Sequence, residues 1–349
     1  MRTRVIKPAH LEEGDTIAVV SPCGGAARAF PYILRNGIKN IKDLLNVNIK
    51  EYPTTRMSRE YLHMHPERRA KDVNDAFDDP DVKAIICSIG GDGDSIRVMK
   101  YIDIDAALSN PKIFMGLSDP TTIITLLNQS GLVTFYGPTV MAGLSQMKSL
   151  PDTFSKHVRT MLMNPGPRFD YVPYSTYSSG YPEWADKKNI GKVKEPKRNS
   201  GWHWIQGDGI VRGRLFGGCA DMFEMYKGSE FWPSTNFFRD RVFFLDTSEV
   251  NPPTQFVKSW IRNYGIMGVL DEISALLVSI PYNYTPAQER DYERMLVDVV
   301  SKEYGRDDLP VVTHMDFGHT DPKFILPLGI GAELNCDNKT FRLTEQPLL

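Results

Sequence analysis

Three short stretches of the chain carry residue types suited to nucleophilic chemistry. In KIFMGLSDPT (112–121) an apolar run breaks at Gly-Leu-Ser-Asp-Pro, and a helical apolar pattern starts at once. Ser118 on that corner has two readings. In the first, Ser118 or Asp119 caps a helix that begins at Pro120, and nothing more is implied. In the second, the corner is a nucleophile elbow: a tight strand-to-helix turn exposes the hydroxyl, and backbone N–H groups at the helix start face a developing oxyanion. The common G-x-S-x-G signature fails because position 120 is Pro. The elbow reading therefore needs partners, since a serine hydroxyl is a weak nucleophile near neutral pH without a base and an orienting carboxylate. His319 in THMDFGHTDPKFILPLG follows an apolar strand and a glycine, inside a loop flanked by Asp and Pro. Loops on a rigid scaffold commonly carry catalytic groups. The carboxylate candidate is Asp246 at the carboxyl end of RVFFLD, with Glu249 second. His314 and His319 with Asp316 could suggest a metal site, but their spacing comes without further ligands.

These groups must be positioned by the elements around them. TIAVVSP (16–22), VKAIICSIGG (82–91), KIFMGLS (112–118) and LVTFYGP (132–138) read as strands, alternating with helical patterns at 30–45 and 66–79. On the second helix Ala70, Val73 and Phe77 share one face. This rhythm predicts βαβ units and a mostly parallel sheet covered on both faces. Ligands of such sheets bind outside the strand carboxyl ends, where Gly90, Gly91 and Ser118 all fall. Residues 166–205 lack either regular period and are crowded with Tyr, Trp, Ser, Gly and Lys. Their aromatics argue against plain disorder. In the second half RVFFLDTS, ISALLVSIP and PVVTHM read as strands. Thr285, Pro286 and Gln288 mark a helix start with a capping box. FILPLGIGAELN and KTFRLTEQ form a closing pair around Asp337-Asn338. Strands outnumber helices there, which predicts a β-rich or α+β unit.

Composition narrows the function. Forty-one basic residues against 43 acidic ones leave no global charge to attract nucleic acid or a membrane surface. No apolar run approaches the roughly 18–20 residues that span a bilayer, and no signal-like core follows the basic MRTRVIKPAH, so a cytoplasmic protein is expected. The four cysteines are scattered without a C-x-x-C pair, which points to reduced, buried thiols.

In chain order KPAHLEEGDTIAVVSP, RRAKDVNDAFDDPDVKAIICSIGGDG, GLSDPT, GRLFGG, FFLDTSE and FGHTDPKFILPLG resemble the LD-carboxypeptidase family of serine peptidases, which also contains the microcin C immunity peptidases. The resemblance implies an α/β fold: a flavodoxin-like N-terminal parallel-sheet domain (1–165), an aromatic-rich connector (166–205) and a C-terminal β-rich, barrel-like domain (206–349). It implies Ser118 as nucleophile, His319 as base and Asp246 at the position of the triad acid, where the family normally has Glu. The backbone N–H groups of Gly91 and Asp119 would form the oxyanion hole. Gly90, Trp184, Trp202, Cys219 and Glu249 are candidates for substrate contact. Hydrolysis would proceed through an acyl-enzyme without metal or cofactor, in a homodimer. The stretches around GWHWIQGDGIVRGRLFGGC and LDTSE look closer to the immunity peptidases, whose substrates are peptidyl or aminoacyl nucleotides. A murein tetrapeptide carboxypeptidase releasing D-alanine is the alternative. A catalytically weakened relative, binding an anion on GGDGD (90–94), is the alternative of another class.

Overall fold

The computed structural model describes residues 5–91 and 93–349, so Asp92 of GGDGD and the first four residues lie outside the described residues. The first half folds as the hydrophobic periodicity requires. Strands β1 (Thr16–Val20), β2 (Asn48–Glu51), β3 (Val82–Cys87), β4 (Ile113–Gly116) and β5 (Thr134–Tyr136) pair in parallel in the order β5-β4-β3-β1-β2. That is the flavodoxin-like order, with its ligand crevice at the strand carboxyl ends. Helices Pro31–Leu45 and Pro66–Asp78 are amphipathic, and Ala70, Val73 and Phe77 are buried.

The region from 166 onward supplies β6 (Phe169–Tyr171), β7 (Thr176–Ser179), β8 (Lys197–Arg198), β9 (His203–Gln206), β10 (Ile210–Cys219), β11 (Arg241–Asp246), β12 (Ala275–Ser279), β13 (Val311–Met315), β14 (Thr320–Asp321), β15 (Leu326–Leu328), β16 (Gly331–Asn335) and β17 (Thr340–Leu343). Eight of them form a mixed sheet in the order β6-β17-β16-β10-β11-β12-β13-β9. Its centre, β10 to β13, is parallel, with helices Ala220–Tyr226, Thr254–Ile266 and Pro286–Val297 in its connections. The capping box at Thr285 and Gln288 is present. The order starts at β6 and finishes at β9, two edges that are not paired with each other, so the sheet is open rather than a closed barrel.

Two segments depart from the reading of the sequence. The closing pair divides: β16 and β17 pair across the Asp337-Asn338 turn, whereas β15 crosses to the first sheet and runs antiparallel to β5. The connector is also built into the sheets, because β6 and β9 form the two edges of the eight-stranded sheet. Strands of two to four residues are too short to show a period, and their side chains anchor them instead. Tyr171 stacks on Phe341 at 4.8 Å and donates its hydroxyl to the Ile325 carbonyl. Among the described residues no helix is long and apolar enough to cross a membrane.

Candidate active site

Three loops at strand carboxyl ends make the floor of the site. Gly24 and Gly25 follow β1, Gly90 and Gly91 follow β3, and Leu117-Ser118 follow β4. They touch through backbone. The Gly24 N–H donates to the Gly90 carbonyl at 3.0 Å. A Cβ on Gly90 would stand 3.0 Å from Ser118 Cβ, and one on Gly91 only 2.5 Å from Asp119 Oδ2. Glycine at both places lets two strand ends close on the serine.

Ser118 sits at φ 68°, a left-handed conformation that costs a non-glycine residue about 1–3 kcal/mol. The turn around it accounts for that conformation. Gly116 leaves room for Pro120, whose ring atoms a Cβ there would meet at 2.6 Å. The Ser118 carbonyl accepts the Thr121 N–H at 2.8 Å. The helix runs Thr121–Gln129 with Pro120 at its N-cap and no side-chain capping bond, so neither Ser118 nor Asp119 is the cap that the sequence allowed. The Asp119 carboxylate instead accepts the Gly93 N–H at 3.0 Å, and its carbonyl accepts the Ser95 hydroxyl at 2.9 Å. Asp119 thus brackets the glycine loop to the serine corner. Arg69, fully buried, clamps the same floor by donating to the Cys23 carbonyl at 3.1 Å and to Asp94 at 2.7 Å.

The opposite wall is built on β11. Asp246 is fully buried at its end and accepts four hydrogen bonds. Tyr136 donates its hydroxyl at 2.7 Å and Ser279 its hydroxyl at 3.0 Å, while His319 donates its backbone N–H at 3.2 Å and Nδ1–H at 2.6 Å. A buried carboxylate is tolerated when its lone pairs are satisfied in this way. The shorter aspartate therefore reaches the imidazole. Gly318 permits the approach, because a Cβ there would stand 1.9 Å from Asp246 Oδ1.

The other imidazole nitrogen, Nε2, lies 3.0 Å from Glu249 Oε2 without hydrogen-bond alignment. Burial opposes the imidazolium, but the Asp246 carboxylate, and after it Glu249, outweigh burial and raise the His319 pKa above the usual imidazole range. Contact with His319 in turn lowers the Glu249 carboxyl, although its side chain stays 59% exposed and solvent screens the pair. No hydrogen bond joins Ser118 Oγ to His319 among the described residues.

Ser118, Gly90, Gly91, Trp184, Glu249 and His319 line one cavity of about 740 Å³, with Asp246 behind His319 and Asp119 beneath the floor. Trp184 stacks on Tyr181 at 5.5 Å, meets Phe30 edge-on at 5.7 Å, and buries an indole N–H without a hydrogen-bond partner. Lys323 also lines the cavity, its ammonium 2.9 Å from Asp321, which accepts the Tyr181 hydroxyl at 2.6 Å.

Cys219 and Trp202 are not part of that lining. Cys219 is buried where β10 pairs with β11, opposite Asp246, and its N–H donates to the Thr121 hydroxyl at 3.1 Å. It therefore ties the serine helix to the strand that carries Asp246. Burial raises its thiol well above the usual range. Trp202 packs edge-on against Phe324 and Phe341 and donates its indole N–H to Asp316 at 2.8 Å. Asp316 is thereby engaged away from His319. The His203, Glu293 and His314 ligand atoms lie within 4.8 Å of one another, but the two imidazoles stack at 4.4 Å with planes 12° apart. In-plane lone pairs of stacked rings run side by side and do not converge on one ion.

Sequence reasoning missed Tyr136, Ser279, Gly318 and Arg69. Only Tyr136 gave a local signal, as a polar-tipped aromatic closing an apolar strand.

The profile of the LD-carboxypeptidase N-terminal domain matches residues 17–137 and that of the C-terminal domain residues 212–334. The microcin C7 self-immunity protein MccF of Escherichia coli is 26% identical over 352 residues, covering 97% of this chain and 96% of its own length. A probable murein peptide carboxypeptidase of Bacillus subtilis is 25% identical over 340 residues, covering 96% and 93%. The solved structure of the self-immunity protein in complex with aspartyl sulfamoyl adenosine superposes with a TM-score of 0.86 at 25% identity, covering 99% of this chain and all (100%) of that one.

Proposed function

This chain belongs to the LD-carboxypeptidase family of serine peptidases, and from that premise we propose that it hydrolyses an amide bond whose acyl side is a small peptidyl or aminoacyl group and whose leaving side is nucleotide-like. In this reading Ser118 is the nucleophile, His319 the general base and acid, and Asp246 the group that orients the imidazole. The observation that supports it is the placement of His319: Nδ1 donates to a buried carboxylate, and the residue lines the same cavity as Ser118. That bond leaves Nε2 as the nitrogen that exchanges protons. His319 takes the Ser118 proton as Oγ adds to the carbonyl, then delivers it to the leaving nitrogen as the C–N bond breaks. A water, deprotonated by the same nitrogen, releases the acyl group from Oγ.

The Gly91 and Asp119 backbone N–H groups are assigned to the oxyanion, where one such donor is typically worth about 3–4 kcal/mol of transition-state stabilisation. Trp184 and Tyr181 offer an aromatic face of the kind that takes a base. The self-immunity structures with aspartyl sulfamoyl adenosine and with adenosine monophosphate favour that occupant. The proposal takes 1–165 and 206–349 as the two domains, 166–205 as their connector, and a cytoplasmic homodimer as the working form.

Purified protein offered aspartyl sulfamoyl adenosine and a murein tetrapeptide in parallel tests the substrate. Release of sulfamoyl adenosine is expected. Release of D-alanine instead would move the assignment to the murein carboxypeptidases, and cleavage of neither would favour a binding role.

A further inference from the structure

Lys323 has no task in the hydrolytic cycle as written, yet it is costly to keep where it is. It lines the same cavity as Ser118 and His319, and only 1% of its side chain is exposed. Asp321, 2.9 Å away, is its one ion-pair partner among the described residues. That contact lacks hydrogen-bond alignment, so the ammonium and Asp321 Oδ1 are both left without a hydrogen-bond partner. An ammonium carries three donors, and burying them unused is unfavourable unless something in the cavity takes them up. Asp321 offsets the charge but does not use the donors.

The neighbours of Lys323 say which part of a substrate lies beside it. Its charge reaches Glu249, whose carboxyl is lowered first by the contact with His319 and in smaller part by Lys323. Lys323 therefore stands on the side of the cavity where Glu249 meets the imidazole. On its other side Asp321 accepts the Tyr181 hydroxyl at 2.6 Å, and Tyr181 stacks on Trp184. The wall thus runs from His319 through Lys323 and Asp321 to the Tyr181–Trp184 aromatic face. A nucleotide-like leaving group has the same order: a nitrogen that takes the His319 proton, an acidic linking group, then ribose and base.

We propose that Lys323 receives the anionic group that joins the leaving nitrogen to the nucleoside, a phosphoryl or sulfamoyl group, and so selects substrates on their leaving side. This inference rests on the amide-hydrolase reading with a nucleotide-like leaving side, and it names the residue that recognises the charge of that side. The oxygens of such a group supply the acceptors that the ammonium lacks. The Tyr181 hydroxyl fixes Asp321, and through it the ammonium, beside the aromatic face.

Isothermal titration of the full-length protein with adenosine monophosphate and with adenosine tests the subsite without turnover. Wild type should bind the monophosphate about tenfold to a hundredfold more tightly, the scale of a charge-assisted hydrogen bond. Lys323→Met removes the charge, and Asp321→Asn beside it avoids leaving a carboxylate buried alone. The double variant should bind the two ligands about equally and keep its adenosine affinity within about twofold. Its kcat/KM on aspartyl sulfamoyl adenosine should fall by about tenfold to a hundredfold. Equal wild-type affinities for the two ligands would overturn the inference, and that comparison stands even if the variant folds poorly. A preference for the monophosphate that survives in the double variant would move the anion to Arg59 or Lys194, which also line the cavity, and would overturn it too. Either result leaves the parent reading standing. Binding of neither ligand by wild type, with no cleavage of aspartyl sulfamoyl adenosine, would sink the parent reading and this inference with it.

Discussion

The two walls of the cavity are held in different ways. The serine wall is fixed mainly by shape, with the Asp119 carboxylate and the Arg69–Asp94 pair bracing its floor: Gly24, Gly90 and Gly91 lie where side chains would collide, Gly116 admits Pro120, and Ser118 is held at φ 68°. The histidine wall is fixed by charge: one buried aspartate gathers four donors, and a half-exposed glutamate meets the free side of the imidazole. Shape does not titrate, whereas a carboxylate–imidazole–carboxylate row does. The serine corner is therefore set at folding, while the protonation of His319 follows the two carboxylates beside it and the pH.

Breaking the charged wall should have the larger effect. Asp246→Asn keeps the size of the side chain but removes the acceptor that selects the Nδ1–H tautomer, and kcat should fall by about 10⁴-fold, as in other Ser-His-Asp sites. Asp246→Glu should also lose activity, by about tenfold to a hundredfold on the scale that a 1 Å misplacement costs, because Gly318 already touches the carboxylate. A gain from Asp246→Glu would mean that the backbone had not adapted to aspartate. On the shaped wall, Gly90→Ala pushes Ser118 Cβ from 3.0 Å contact and should lower kcat by up to about a hundredfold without moving the pH profile. Steady-state kinetics across pH separates the two cases.

The two tryptophans sharpen the same contrast further from the reacting atoms. Trp184→Ala removes a stacking face worth about 1–3 kcal/mol and should raise KM tenfold or more for a nucleotide-like substrate. Trp202→Phe leaves Asp316 short of one donor, so it should cost about 1–3 kcal/mol of stability while kcat/KM stays within about twofold. Thermal unfolding alongside kinetics reads both. A KM effect at Trp202 would mean that the connector reaches the substrate by another route.

These differences also explain how much of the site could be read from the sequence. The strands of the first sheet and the Gly-Gly and Gly-Leu-Ser-Asp-Pro corners are written in short windows, because each feature is a contact between near neighbours. Asp246 and His319 could be nominated from their places at strand ends. Tyr136, Ser279 and Gly318, which seat the aspartate, come from three separate segments and show nothing locally of their common target. The edge strands β6 and β9 are too short for periodicity and are held by aromatic anchors across the chain. Glu249 meets an imidazole 70 residues away in sequence. Trp202 and Trp184 looked alike in composition. One is a strut on Asp316 and the other a cavity wall, a distinction that only tertiary packing makes.

The central claim is that Ser118 becomes acylated. The direct measurement is intact-protein and peptide mass spectrometry on enzyme acid-quenched during turnover of aspartyl sulfamoyl adenosine, with Ser118→Ala as control. The account predicts an aspartyl adduct confined to the peptide containing Ser118 in the wild type. The variant should show no adduct and turnover lower by about 10⁴-fold or more, with unchanged thermal unfolding. An adduct on another residue, or turnover that survives in Ser118→Ala, would contradict it.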